Sequence, residues 1–160
     1  MVFGIFTYVE MEQTLKTEIL KKLEIVATLK EKNFQDVFEQ NTEKLNLVSS
    51  RYQLKVELDN YNNNNNKSES QKIMSEIIKA IKPEVTKFED IILLDLSGKV
   101  VASTNNTYLG TIHNNDTYFI EGKKHNNVTI LYKDKNQKLK SYLTGPLILN
   151  DKLLGVVTIL

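Results

Sequence analysis

The sequence predicts an α+β fold: a long N-terminal helix plus further helices packed on a five-stranded antiparallel sheet. Three observations lead there. Apolar residues keep helical spacing, without Pro or Gly, from Val9 to Val48. Phe88–Val101, FEDIILLDLSGKVV, reads as a buried strand, a tight turn and a returning strand. Three further strand patterns follow, joined by short polar turns. Hairpin connections make the sheet antiparallel, and helices beside such a sheet make a two-layer domain.

The elements follow in chain order. Leu15, Ile19, Leu23 and Val26 form an apolar stripe, and Phe34, Val37, Phe38, Leu45 and Val48 continue it, with Lys32-Asn33 the place where a break would fall. Forty residues of helix reach about 60 Å, more than the width of a small domain. Part of this helix therefore projects or pairs with another chain. Ser49-Ser50 interrupt the pattern, and Ser50 is the expected cap of a second helix carrying Leu54, Leu58 and Tyr61. The Asn-rich run 62–70 reads as a loop. Ser68 or Ser70 is expected to open a third helix, with Ile73, Ile77, Ala80 and Ile81 as its stripe and Pro83 at its end.

Strands are expected at Phe88–Leu96 and Lys99–Ser103, with the turn at Leu96–Lys99 between them. Residues 104–125 lack long periodicity. Within them, Asn115 or Asp116 can cap a short helix with Tyr118, Phe119 and Ile120, ended by Gly122. Strands return at Asn127–Lys133, Lys138–Leu149 and Leu153–Leu160, with turns at Asp134–Gln137 and Asn150-Asp151. The run of Ile and Leu in the first strand predicts burial on both faces, with Asp95 stabilising the turn.

Composition narrows the function. The chain has 160 residues, 41% of them hydrophobic, and 21 cations against 20 anions for a net charge of +1. That balance argues against nucleic acid, which needs a concentrated basic face. There is no Cys, hence no disulfide and no thiolate chemistry. The N-terminal MVFGIFTYVEME lacks the basic start and cleavage site of a signal peptide. Two readings fit it equally: the tail of a membrane-spanning helix, or an apolar helix start. The end of the chain in LLGVVTIL suggests an excised fragment. The four N-x-S/T triplets, at Asn66, Asn105, Asn115 and Asn127, are read as chance in an Asn-rich chain.

The order of features resembles an extracellular Cache domain, a PAS-like sensor module of membrane receptors. The residues that carry this are Ile92–Val101, with the D-x-S-G-K turn Asp95–Lys99, then Leu109-Gly110, then Asp116-Thr117-Tyr118-Phe119, then Gly145-Pro146-Leu147 and Leu154–Val157; Ser50-Arg51 with Leu54 resembles the helix before the sheet. The resemblance covers nearly the whole chain through the order and spacing of its motifs. It implies residues 1–50 as a long signalling and dimerisation helix and 51–160 as the PAS-like domain, together one Cache module. It implies a homodimer through that helix and membrane contact only through flanking segments. It implies an extracytoplasmic domain of a receptor in the cell membrane, chiefly a two-component histidine kinase. A chemotaxis receptor, or a PAS-like dimerisation scaffold without ligand, are the alternatives.

The resemblance also implies a site, between the sheet and a cover at Leu109–Lys124, for an unidentified small molecule. Tyr118 of the D-x-Y-F motif points into that pocket, with Phe119 beside it. Amino-acid-binding members carry Arg two residues before this Tyr, where its fork clamps a carboxylate. This chain has Asp116 there, either a helix cap or a partner for a cation or amine. His113 lies on the same cover. On the sheet, Tyr132, Tyr142 and Thr144 are the candidate floor, with Tyr142 and Thr144 on one face and Leu143 opposite. Arg51, the only arginine, is either a guanidinium clamp or a surface helix residue. Lys123 and Lys124 are either a replacement for the absent arginine or a solvated pair. His113 and His125 do not have metal-pair spacing on one element. No G-x-S-x-G, H-E-x-x-H or P-loop is present. No catalysis, cofactor or metal is expected of this segment.

Overall fold

The computed structural model describes the backbone of residues 2–85, 88–133 and 139–160, and the side chains of residues 11–85, 88–126 and 141–160. The chain forms two compact units, Met1–Glu39 and Gln40–Leu160. The sequence divides it at residue 50 instead. The difference arises because Leu45 and Val48 are fully buried in the core of the second unit.

The first unit is helix. It belongs to α1, which runs Val2–Ser49 without interruption at Lys32-Asn33. Leu15, Ile19, Leu23 and Val26 are exposed along it, between 48% and 60%. Two ion pairs with i,i+4 spacing, Glu12–Lys16 and Glu18–Lys22, lie on the same helix. Among the described residues, no helix is long and apolar enough to cross a membrane.

In the second unit, α2 spans Tyr52–Asn62 and α3 spans Lys67–Ile81. Their expected caps are corrected. Arg51, not Ser50, holds the N-cap position of α2, in extended backbone. Asn66, not Ser68 or Ser70, precedes α3, in the left-handed conformation at φ 48°. Asn tolerates that region better than Ser does. The buried face of α3 is Ser70, Met74, Ile78 and Ile81, one residue round from the expected stripe, and Ala80 is exposed. The apolar arc there is wide, and its centre rather than its Ile-rich edge meets the sheet. Pro83 sits in the 3-10 turn Lys82–Val85 that ends the helix.

Five strands form one sheet: β1 Ile91–Asp95, β2 Val100–Ser103, β3 Asn127–Lys133, β4 Leu139–Leu149 and β5 Lys152–Ile159, in the spatial order β2-β1-β5-β4-β3. Every pairing is antiparallel. β1 starts later than expected. The Glu89 and Asp90 amides both turn to the Leu160 carbonyl, and the Asp90 carboxylate binds Thr104 and Asn105. The turn expected at Asp134–Gln137 lies outside the described residues. At Asn150-Asp151 both residues have positive φ, 49° and 60°, the signature of a type I′ hairpin.

β1 is buried on both faces, as its composition requires. Ile91 and Leu93 face α2 and α3, in a core with Leu54, Leu58, Met74 and Ile78. Ile92 and Leu94 face the opposite side, in a cluster with Val100, Tyr118, Phe119, Tyr142 and Val156. Each fully buried Leu or Ile contributes roughly 1.5–3 kcal/mol of transfer free energy. Asp95 closes the β1–β2 turn. Its Oδ1 accepts from the Ser97 amide at 2.8 Å, the Ser97 hydroxyl at 2.6 Å and the Lys99 amide at 3.1 Å.

Candidate functional site

The second face of the sheet carries the cover. The segment leaving β2 first makes a 3-10 turn at Asn106–Tyr108, started by the Asn105 side chain accepting from the Thr107 amide. It then runs back along the β2 edge. The Val100 amide donates to the Thr111 carbonyl, and the His113 amide to the Gly98 carbonyl. Gly98 has φ +80°, and a Cβ there would lie 2.7 Å from the Asn114 backbone, so glycine is required on both counts.

Helix α4, Thr117–Gly122, follows. Asp116 occupies its N-cap position, yet the carboxylate makes no capping bond. Its Oδ2 lies 2.7 Å from His113 Nδ1 instead. The cap role expected of this side chain is therefore replaced by an imidazole contact. Gly122 ends the helix as expected, but for a steric reason. A Cβ there would strike the Thr144 hydroxyl and come within 2.6 Å of Val156 Cγ1. The helix backbone rests on these two side chains of the sheet.

Six of the expected residues come together. Tyr118, Phe119 and Tyr142 are buried in the cluster beneath the cover. Thr144 is fully buried beside them and bonds the Tyr118 carbonyl at 2.9 Å. His113 and Asp116 sit above, with the Tyr118 hydroxyl 2.7 Å from His113 Nδ1. Leu143 points to the opposite core, which confirms the alternation expected of β4. Arg51 is exposed at the start of α2, a helix that packs on the other face, so it stands apart from this group. Tyr132 is paired with Lys140 in the β3–β4 ladder, and its side chain lies outside the described residues. Lys124 pairs with Glu121, and Lys123 Nζ lies 4.5 Å from the Phe119 ring centre.

Sequence reasoning missed Tyr108 and Thr111. Tyr108, His113, Tyr118 and Tyr142 form a row, with successive ring centres 6.4, 5.8 and 5.7 Å apart. Thr111 Oγ1 lies 2.7 Å from His113 Nε2 and donates to the Tyr108 carbonyl. An aromatic residue adjoining Leu109-Gly110 was the available signal for Tyr108; nothing in the sequence marked Thr111.

Proton roles follow from this inventory. The Thr111 hydroxyl proton goes to Tyr108, so Thr111 accepts from His113 Nε2–H. Nδ1 then faces two neighbours. In the neutral ring it accepts from the Tyr118 hydroxyl; in the charged ring it donates to Asp116. The order Asp116–His113–Thr111 superficially matches a nucleophile relay. In a relay the hydroxyl donates to the ring nitrogen, and here the polarity is reversed. Among the described residues, no group of three or more His, Cys, Asp and Glu could hold a metal ion.

Residues 66–160 match the family described as "Putative sugar diacid recognition". No curated protein matches the chain. Solved structures share its fold. The sensor domain of the Vibrio cholerae histidine kinase DctB superposes with a TM-score of 0.64 at 19% identity, over 79% of this chain and 49% of that one. The ligand-binding domain of the Campylobacter jejuni chemoreceptor Tlp3, in complex with 4-methylisoleucine, gives 0.57 at 16% identity, over 79% and 51%. The chain thus spans about half the length of the sensor domains it matches. The fold is that of these receptor sensor domains.

Proposed function

The chain belongs to the sugar diacid recognition family, and from that premise we propose that it is the ligand-sensing module of a membrane receptor. The module lies on the extracytoplasmic side. The parent is a two-component histidine kinase, with a chemotaxis receptor the other receptor class for the same module. The ligand is a small polar molecule of the sugar-diacid class, held between sheet and cover by Tyr118, Phe119, His113, Asp116, Tyr142, Thr144 and the β3 residue Tyr132. Arg51 has no part in it.

One observation carries the reading. Tyr118 bonds the sheet through its main-chain carbonyl and the cover loop through its hydroxyl. A ligand that displaces this tyrosine acts on both at once. Binding would bias two packings of cover against sheet, and α1 would carry the difference. The exposed stripe Leu15–Val26 supports pairing of α1 with a second copy, because apolar side chains at that spacing bury only against a partner.

The test is a thermal-shift titration with galactarate, a six-carbon sugar diacid, against galactitol as its neutral counterpart. A rise in Tm with galactarate alone, lost in Tyr118→Ala, supports the proposal. No shift with galactarate overturns the ligand class. A scaffold reading has one observation in its favour: Tyr118 and Tyr142 are buried and meet edge-to-face at 5.7 Å. Loss of dimerisation in Tyr142→Ala, with no ligand response in the parent chain, would favour it.

A further inference from the structure

The His113 ring meets three polar neighbours through two nitrogens. Nε2 lies 2.7 Å from the Thr111 hydroxyl. Nδ1 lies 2.7 Å from Asp116 Oδ2 and also 2.7 Å from the Tyr118 hydroxyl. A ring nitrogen has one in-plane position, filled by a lone pair or by a hydrogen. Nδ1 can therefore serve one of these two neighbours at a time. With a lone pair it accepts from the Tyr118 hydroxyl, and the Asp116 carboxylate faces a second acceptor. With a hydrogen it donates, and the carboxylate is the stronger acceptor because it is charged.

The two neighbours tie the ring to different parts of the fold. Tyr118 belongs to α4 and is joined to the sheet. Its carbonyl accepts from Thr144, and its ring meets Tyr142 edge-to-face. Asp116 ends the loop that carries His113. The neutral ring thus ties the loop to α4, and through α4 to the sheet. The charged ring closes the loop on itself across three residues. We infer that His113 makes the cover responsive to pH: protonation exchanges a bond between loop and helix for a bond within the loop. The loop is then released from the tyrosine that joins cover to sheet.

The surroundings suit such an exchange. Among the described residues, the titratable groups facing the ring are Asp116 at the N-cap of α4, Tyr118 in α4 and Tyr108 from the 3-10 turn. From β4, Tyr142 reaches Tyr118. The two lysines of the cover are engaged elsewhere, Lys123 over the Phe119 ring and Lys124 with Glu121. Among the described residues, neither forms an ion pair with Asp116. The His113 side chain is 19% exposed, which leaves a path for the proton. Histidine is the side chain that ordinarily changes charge between about pH 5 and 8. His125 provides a comparator: it is 60% exposed and lies 3.9 Å from Glu121 in the same surface turn.

The test is nitrogen NMR of the imidazoles and carbon NMR of the Tyr118 ring, on the whole chain without ligand, from about pH 8 to 5. The expected result is a Tyr118 ring resonance that moves with the same midpoint as His113 and not with that of His125. D116N removes the partner of the charged ring and should move the His113 midpoint to lower pH. Y118F removes the donor to the neutral ring and should move it to higher pH. A purely structural role would not give opposite displacements. H113N should abolish the pH response of Tyr118, and the other two variants keep the question answerable if H113N fails to fold. A His113 that stays neutral down to pH 5 overturns the inference, as does a Tyr118 resonance that ignores the His113 midpoint. Midpoints unmoved, or moved the same way, in D116N and Y118F also overturn it. No ligand is added, so failure of the galactarate titration leaves this result unaffected.

Discussion

The Thr144 hydroxyl, on the central part of the sheet, donates to the main-chain carbonyl of Tyr118, in the cover, at 2.9 Å. The same oxygen lies 3.0 Å from the Thr158 hydroxyl on β5. Thr144 and Thr158 are register partners, so Thr158 on β5 adjoins the hydroxyl that holds this carbonyl of α4. Thr144→Val keeps the shape and removes the donor. It should cost about 1 kcal/mol, read as a lower urea midpoint, and should raise amide exchange in α4 selectively. Uniform exchange across the sheet would contradict the role.

Gly122→Ala should be worse than a surface change. The new methyl meets Thr144 and Val156 on the sheet. Overpacking of this kind costs roughly 1–3 kcal/mol. Near-ultraviolet dichroism of the tyrosines should change, because Tyr118 moves with α4.

Asp95→Ala should destabilise by about 1–2 kcal/mol, since one carboxylate oxygen serves three donors in the β1–β2 turn. Asp95→Asn retains an acceptor and should lose about half as much. Thermal melts of the two variants check the order.

Thr111→Val should change the His113 ring. In the parent chain Nε2 carries a proton, because the Thr111 hydroxyl is committed to the Tyr108 carbonyl. Nitrogen NMR of the imidazole should show this, and should show mixed tautomers in the variant. A parent ring protonated at Nδ1 alone would reject the assignment.

Leu23→Asp should abolish self-association if α1 pairs through its apolar stripe. Leu23 is 60% exposed, so the change costs little in the monomer. Sedimentation of both chains separates dimer from monomer, and a monomeric parent chain rejects the pairing.

Much of this architecture is legible in side-chain periodicity. β3 is bounded as expected at Asn127–Lys133, and the two-sided burial of β1 follows from its unbroken Ile and Leu. Local rules failed where tertiary contacts overrode them. Ser70 has the chemistry of a cap, but Glu57 claims its hydroxyl and holds it inside α3. Asp116 has the position of a cap, but His113 claims its carboxylate. The candidate site was legible only through its named motif residues. Thr111 and Tyr108 belong to it through loop geometry, which no period encodes. Gly122 looked like a helix terminator, and its closeness to Thr144 depends on how two distant segments stack.

The close approach of the α4 backbone at Gly122 to Thr144 and Val156 has a mechanical consequence. Most helix–sheet contacts are cushioned by side chains that can change rotamer and absorb a small push. At Gly122 the helix contributes none, and the short branched side chains of Thr144 and Val156 meet its backbone. A displacement of the cover at that point meets β-branched side chains with little freedom to turn. The joint is stiff, and the small residue at position 122 sets how closely α4 couples to β4 and β5.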